Sequence, residues 1–397
     1  MVTEERLIKA VTSLYQHILK THWQNNAVIG PDPGIRFNAR IGRFIKGYLG
    51  FMPWSDNMAY AQAQKYWVLD NWLMVDLGLI PTQEGKKVAA ACSERLRNVQ
   101  TPEGYWEYPN LEWRGRIQTV EGNYAAMALL ETYSRTRTDN LLEGARMWYD
   151  YAVEHIGFQE VDGGLAINYF GNIPGERVPN NAASTLRIFA QLAKETQNDQ
   201  YLEYCPGMIK FLKDVQLENG LLPYAVANPN IPSHEDRIHF LCYNYNSFQF
   251  LNILDYFKFT NDDSVMPILD GLARFVSTGI TDQGAAWYNS HKQNPEVLYY
   301  AAAAAATLSQ ATELGLGDYK NLANRAYTHV LNQQKPNGNM AYYSRNNYKL
   351  LQDRRSYPRY LSMILYHLLL EIKRVRQSNE TDLLSQNQPV MKETVNA

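Results

Sequence analysis

The chain has 397 residues, 45% of them hydrophobic and 20% charged, an ordinary globular composition long enough to bury a large core without staples. Lys+Arg 38 against Asp+Glu 40 leaves a net charge of -2, which argues against nucleic acid as a partner, because phosphate binding needs a basic face. The three cysteines (Cys92, Cys205, Cys242) are too few and too scattered for a disulfide framework or a zinc site.

The N-terminal MVTEERLIKAV carries acids and no long apolar run, so no signal peptide is expected, and a cytoplasmic location follows as the default. No stretch is apolar enough to span a membrane. Helical periodicity marks twelve segments in chain order: 4–24, 57–77, 82–99, 118–136, 139–156, 181–196, 199–215, 243–259, 263–278, 295–314, 318–333 and 357–376. Strands are nearly absent from this pattern. Asp139 and Asp262 suit helix N-caps, and Asp56 and Asn181 read more readily as caps than as catalysts. The run from Gly30 to Phe44, basic and aromatic, reads as a long loop that either covers a cavity mouth or joins two helices. Residues 378–397 lack a sustained apolar face and are expected to form a mobile tail after a single domain over 1–377.

A turn recurs between these segments. Gln100 to Trp106 reads Q-x3-G-x-W, and Gln159 to Leu165, Gln216 to Leu222 and Gln334 to Met340 repeat it, with a degenerate copy from Thr281 to Trp287. The glycines fall at 104, 163, 220, 284 and 338, roughly sixty residues apart, and each is followed by an aromatic: Tyr108, Tyr169, Tyr224, Tyr288 and Tyr342. Twelve helices in six pairs with one recurring turn predict an all-α fold, a single (α/α)6 barrel or toroid, with an open solenoid as the competing architecture. The Gln and Gly of the turn are expected to brace it rather than to do chemistry. The even-numbered helices carry small and aromatic stripes, such as Tyr299-Tyr300 and the alanines that follow, and are expected to form the inner ring.

In such a toroid the functional residues belong at the N-terminal ends of the inner helices. The segments there hold Trp54; Asn110, Glu112, Trp113, Arg114 and Arg116; Glu121; Asn181; Tyr243, Tyr245 and Asn246; Tyr299; and Asp353, Arg354, Arg355 and Tyr357. Asn110, Glu112, Glu121 and Asp353 are the candidate catalytic residues, and the others are candidate substrate contacts. His234 and His239 lack metal-ligand spacing, and neither a metal nor a cofactor is expected.

The Q-x3-G-x-W turn after amphipathic helices resembles the repeat of squalene-hopene and oxidosqualene cyclases, over roughly residues 80–345. A single toroid of this length is similar to the monodomain class II terpene cyclases, the merosterolic acid synthase type. That resemblance implies protonation-initiated ring closure of a small, hydrophobic, prenylated (farnesyl-type) aromatic substrate, with transient membrane-surface contact compatible with such a ligand. The family's D-x-D-D acid is missing; the nearest string is Thr260-Asn261-Asp262-Asp263, and Asn110 is only the isosteric amide of an Asp. The 28 Tyr, 13 Phe and 8 Trp would supply π-faces for migrating cations. The alternative is a carbohydrate-active (α/α)6 enzyme such as an uronyl hydrolase, epimerase or lyase, with Glu121 and Asp353 as acid and base and Arg354 and Arg355 holding a uronic acid. The cavity decides: a polyene needs a closed apolar pocket, and a sugar needs polar walls.

Overall fold

A computed structural model describes residues 2–34, 41–113, 115–171, 173–228, 230–231, 234–344 and 353–386. All twelve expected helices are present. They are α1 (Glu4–Thr21), α3 (Ala61–Asp76), α4 (Thr82–Asn98), α5 (Thr119–Thr136), α6 (Asp139–Tyr151), α7 (Pro179–Thr196), α8 (Cys205–Val215), α9 (Cys242–Thr260), α10 (Met266–Ser277), α11 (Leu298–Glu313), α12 (Lys320–Asn332) and α13 (Pro358–Gln386). A further short helix, α2 (Gly42–Tyr48), lies at the end of the run read as a loop, and Arg36, Phe37, Asn38 and Arg40 of that run lie outside the described residues. α13 continues to Gln386, into the segment expected as a tail. Two small antiparallel hairpins, three 3-10 turns (Leu111–Trp113, Asp199–Leu202 and Asp263–Val265) and a π turn (Ala152–Ile156) complete the described elements. One hairpin pairs β1 (Trp23–Gln24) with β2 (Ala27–Val28), and the other pairs β3 (Phe158–Val161) with β4 (Gly164–Ile167) around one of the repeat turns. No helix among the described residues is long and apolar enough to cross a membrane.

The helices sort into two rings by how much of their circumference is buried. α1 buries one stripe, Leu7, Ala10, Val11, Leu14, Tyr15 and Ile18, at the i, i+3, i+4 spacing of a surface helix. Thr3 starts it by accepting a bond from Arg6 N. α3 buries every residue from Ala63 to Met74, and α11 every residue from Leu298 to Ser309. Helices buried all round belong inside other helices. Each of α3, α5, α7, α9, α11 and α13 packs against the next, and α13 returns to α3, so the inner ring is closed and the open solenoid is excluded. α4, α6, α8, α10, α12 and α1 lie outside, against α3, α5, α7, α9, α11 and α13 in turn. The alanines of α11 let its neighbours approach closely on both sides.

The recurring turn is an outer-ring clamp. Gln100 Nε2 donates to Gly104 O within its own turn (2.8 Å) and to Gly144 O of α6 (2.9 Å). Gln216 Nε2 does the same with Gly220 O (2.9 Å) and Ile268 O of α10 (3.1 Å). Gln334 Nε2 bridges Gly338 O (3.2 Å) and Ala10 O of α1 (2.9 Å), which closes the ring between the last outer helix and the first. Gln159 departs from this pattern and donates to Asn168 Oδ1 and Gly175 O. The glycines are required by contact as well as by conformation. Gly338 has φ +83°, and a Cβ there would stand 2.2 Å from Ser13 O; at Gly220, φ +88°, it would stand 1.9 Å from Gly271 O. The turn therefore marks the architecture, as its sequence suggested. Of the expected caps, Asp262 accepts from Ser264 N (2.9 Å) ahead of α10, whereas α6 begins without a side-chain cap bond.

Gly338→Ala combines left-handed strain with a backbone clash, and neither partner is a flexible side-chain end. It should lower stability by about 3 kcal/mol or more, while Gln334→Ala, which removes two hydrogen bonds, should cost about 1–2 kcal/mol. Urea denaturation of the two variants beside the wild type measures both.

Candidate active site

The ring points the N-terminal ends of its inner helices at one rim, and a cavity of about 200 Å3 sits on the axis beneath it. α3 contributes Gln62, α5 Glu121 and Tyr124, α7 Asn180, α9 Asn244, Tyr245 and Phe248, α11 Tyr299, and α13 Arg359, Tyr360 and Met363. The loops add Tyr108, Gln118, Tyr169 and Tyr224. Three of these, Tyr108, Tyr169 and Tyr224, are aromatics that follow the repeat turns. The walls are thus mainly phenols and amides, with one carboxyl, one guanidinium and the apolar side chains of Val120, Val178, Phe248 and Met363.

Glu121 stands in the first turn of α5, and its Oε1 accepts a 2.6 Å bond from Ala61 N at the start of α3. Ala61 N is one of the donors that a helix leaves unpaired at its beginning, so Glu121 caps the neighbouring helix. Burial disfavours the carboxylate and pushes its pKa up to about 7; the Ala61 N–H and the Arg359 charge pull against that push without overcoming it. The side chain is therefore poised to gain or lose a proton at neutral pH.

Arg359 lies in the first turn of α13. Its Nη2 donates to Asp32 Oδ1 (3.0 Å), and its Nε lies 2.8 Å from Asp32 Oδ2 in an ion pair. Asp32 is 1% exposed and also accepts from Gly34 N (2.7 Å). The guanidinium is flanked by the rings of Tyr60 (4.5 Å) and Tyr360 (4.7 Å) and bonds the Tyr360 hydroxyl. Burial raises the Asp32 carboxyl above its ordinary value against the pull of the guanidinium; burial also works against the Arg359 charge, but Asp32 and the surrounding phenols together outweigh it and hold Arg359 well above its ordinary value. Burial pushes the Tyr108 and Tyr124 phenols up to about 12, so both stay protonated donors. Asn180 Oδ1 and Asn244 Oδ1 are buried in the same wall with no hydrogen-bond partner among the described residues. Each is an unpaired acceptor at the cavity lining. No cluster of metal-ligating side chains occurs among the described residues.

Of the residues singled out from sequence, Glu121, Tyr245 and Tyr299 line this cavity. Arg114 lies outside the described residues. Asn110 does not face the cavity; its Oδ1 accepts from Glu112 N (3.0 Å) and starts a short 3-10 turn, a role an Asp would fill equally, and Glu112 is exposed. Trp113 packs on Phe170 (5.4 Å) and Tyr108 (6.2 Å), with exposed Arg116 over the first two rings, so this loop forms a lip beside the cavity. Asn181 is buried within α7, one residue out of phase with Asn180. Tyr243 stacks on Phe275 (4.7 Å) between α9 and α10, and Asn246 braces Leu222 through bonds of 2.8 and 2.9 Å. Both are packing residues.

Asp353 lies apart from the cavity lining. The Tyr357 hydroxyl donates to its two oxygens at 3.3 and 3.1 Å, and Arg355 N donates at 3.2 Å. Asp56 is not a cap: Arg355 grips it through two bonds (2.8 and 3.0 Å) and Lys46 through a third (2.8 Å). Trp54 donates to Leu49 O, and Arg354 covers the Tyr48 ring at 3.9 Å. These residues fasten α2 to the approach of α13. The sequence singled out neither Asp32 and Arg359 nor the lining residues Tyr124, Asn180 and Asn244, and nothing in it tied Arg359 to Asp32.

No family model matches the chain, and no curated protein matches it. Solved structures do match. A polysaccharide lyase, BACCELL_00875, superimposes with a TM-score of 0.66 at 10% identity, over 94% of this chain and 99% of the lyase. The family 76 glycoside hydrolase (mannosidase) Bt3792 from Bacteroides thetaiotaomicron gives 0.66 at 11% over 94% and 99%. Cellobiose 2-epimerase from Bacillus thermoamylovorans gives 0.62 at 14%, over 85% of this chain and all of the epimerase (100%). At these identities the likeness is one of fold, and it runs to carbohydrate-active (α/α)6 barrels. This corrects the resemblance to class II terpene cyclases, and with it the expected cyclisation and the expected hydrophobic prenylated substrate. The physical reason is twofold. The Gln-x3-Gly turn solves a packing problem of helical toroids whatever their chemistry, and the cavity walls are polar where a polyene requires apolar ones.

The Glu121 carboxyl makes stability pH-dependent. Its pKa of about 7 lies above the ordinary value of 4.5, so the folded chain holds a proton that the unfolded chain gives up. That contribution is complete below pH 4.5 and falls as pH rises to about 7. Glu121→Gln, which keeps an acceptor for Ala61 N, should remove this slope and exceed the wild type above pH 7 by on the order of 3 kcal/mol. Thermal or urea unfolding of both proteins between pH 5 and 8 is the check; parallel profiles would place the Glu121 pKa near its ordinary value.

Proposed function

We propose that the chain is an enzyme acting on a carbohydrate held in this cavity, with Glu121 as the group that exchanges a proton with the substrate. The observation that carries the reading is a carboxyl poised near neutrality in a cavity walled mainly by phenols and amides. Tyrosine rings suit the apolar faces of a sugar, and the open Asn180 and Asn244 acceptors suit its hydroxyls. Arg359, fixed by Asp32, presents donors to a ring oxygen or a carboxylate. The solved structures of similar fold bear the names of a lyase, glycoside hydrolases and an epimerase, which favours the same substrate class.

The lining also bears on the type of reaction. Hydrolysis by two facing carboxyls needs a second acid about 5–10 Å from the first across the scissile bond. Glu121 is the one carboxyl among the lining residues, Asp353 lies elsewhere, and Asp32 is committed to Arg359. Chemistry that runs on one titrating carboxyl with phenols as donors fits this cavity better. Elimination, epimerisation and hydration of an unsaturated sugar all belong to that group.

The test is turnover of three panels: cellobiose and manno-oligosaccharides, saturated uronides, and unsaturated uronides. Product is followed by chromatography and by the ultraviolet absorbance of a conjugated uronide. One panel should be turned over, and Glu121→Gln should lower its kcat by at least 100-fold with an unchanged circular dichroism spectrum. Silence across all three panels, or a variant that keeps its rate, rejects the assignment.

A further inference from the structure

The mouth of the cavity carries two aromatic outcrops, and they differ in what their polar groups have to bond. On one side the lining residue Tyr224 meets Phe240 edge-on at 4.8 Å, and Phe240 is 45% exposed. Arg237 covers the Tyr224 ring at 4.8 Å, but its guanidinium is already paired with Glu176. On the other side stands the lip of Trp113, Phe170 and Arg116.

Backbone pairing builds that lip. The segment entering α5 runs antiparallel to the one that follows β4: Thr119 N donates to Tyr169 O (3.1 Å) and Gly171 N to Ile117 O (3.2 Å). Successive side chains of an extended segment point to opposite sides. Tyr169 accordingly lines the cavity and bonds Gln118, while Phe170 lies against Trp113 at 5.4 Å. Tyr108, also in the lining, meets Trp113 edge-on at 6.2 Å. A continuous run of rings thus leads from the cavity wall to the half-buried Trp113. Arg116 N donates to Trp113 O (3.0 Å), and the exposed guanidinium stands 5.4 Å over the Trp113 ring and 5.3 Å over Phe170. Among the described residues neither that guanidinium nor the Trp113 indole N–H has a hydrogen-bond or carboxylate partner. Ring faces edged by uncommitted donors match a pyranose, whose C–H face is apolar and whose rim is hydroxyl.

We propose that this lip is a subsite for the second sugar unit of an oligosaccharide whose first unit occupies the cavity, an inference that rests on the carbohydrate reading above. The second unit lays a C–H face on Trp113, and the indole N–H and Arg116 donate to the oxygens at its edge. The protein therefore prefers a linked sugar to a free monosaccharide, and Trp113 and Arg116 set that preference. The Phe240 side, whose guanidinium is spent on Glu176, takes no part in it.

The test is isothermal titration calorimetry on the full chain carrying Glu121→Gln, so that binding is read without turnover. The probes are glucose, cellobiose and cellotriose; mannose, mannobiose and mannotriose; and galacturonate with its linked dimer and trimer. In one series the two-unit sugar should bind roughly tenfold more tightly than the single unit. Trp113→Ala in the same background should cut that gain to below about threefold, and Trp113→Phe, which keeps a ring but not the N–H, should retain part of it. Arg116→Gln, at an exposed position that does not threaten folding, should lower the gain by roughly threefold. Phe240→Ala is the control and should keep it. Binding of single units with no gain from the second, or a gain that survives both Trp113→Ala and Arg116→Gln, overturns the subsite and leaves the carbohydrate reading standing. No binding by any member of the three series overturns both.

Discussion

Closing a ring of six helices forces their N-termini around one axis, and everything at the candidate active site follows from that constraint. Each helix start leaves backbone N–H groups unpaired, and those at the centre of a closed ring have little water to turn to. Glu121 answers one of them by reaching from α5 to Ala61 N of α3. The donor and the positive helix ends favour its charged form. Desolvation in the closed ring opposes them and is the larger effect, so the carboxyl comes to rest near neutrality rather than near 4. One interaction thus finishes a helix and sets up an acid. In an open solenoid the same carboxyl would stand in solvent and keep an ordinary pKa.

Arg359 and Asp32 settle the remaining electrostatics. The Arg359 charge draws the Glu121 pKa down and Asp32 draws it up, so the two partners of the pair act on Glu121 in opposite directions. Such a pair adds little stability over apolar residues, and removing either partner is expensive, about 3–5 kcal/mol, because the other stays buried and charged. Its value lies in geometry. It ties the segment that follows the first hairpin to the first turn of the last helix, across 327 residues of sequence, and so locks the ring where its two ends meet. Gln334 makes the matching closure in the outer ring.

The helices and the turns were legible in the sequence because both are local. An amphipathic stripe needs only periodicity, and the turn needs a glycine where a Cβ would strike the next helix, so the repeat reads as a brace from its residues and spacing alone. The rim was legible as a set of segments, but not as a set of side chains. On α9, Asn244, Tyr245 and Phe248 face the axis whereas Tyr243 faces α10 and Asn246 the loop at Leu222, and the buried inner helices carry no polar stripe to fix that phase. Asp32 was out of reach for another reason: its role depends on Arg359, and nothing local in Pro31-Asp32-Pro33-Gly34 says so. The terpene cyclase reading failed because the most conspicuous motif reports packing, and packing is shared by toroids of unrelated chemistry.

What separates the two substrate classes is the cost of burying groups that the substrate cannot pair. A polyene in this cavity would cover Asn180 Oδ1, Asn244 Oδ1 and several phenols without giving them a partner, at about 1–3 kcal/mol for each group. Two or three such groups already outweigh what aromatic faces return to a migrating cation. A sugar reverses the balance, since its hydroxyls pair with those same atoms and its carbon faces lie against tyrosine. Sites built to hydrogen-bond a hydroxyl reject ligands that lack it far more strongly than apolar pockets discriminate by size. On the proposed reading the polar wall is the selectivity device of the cavity, and Glu121, with a pKa of about 7, is placed within it to exchange a proton near neutral pH.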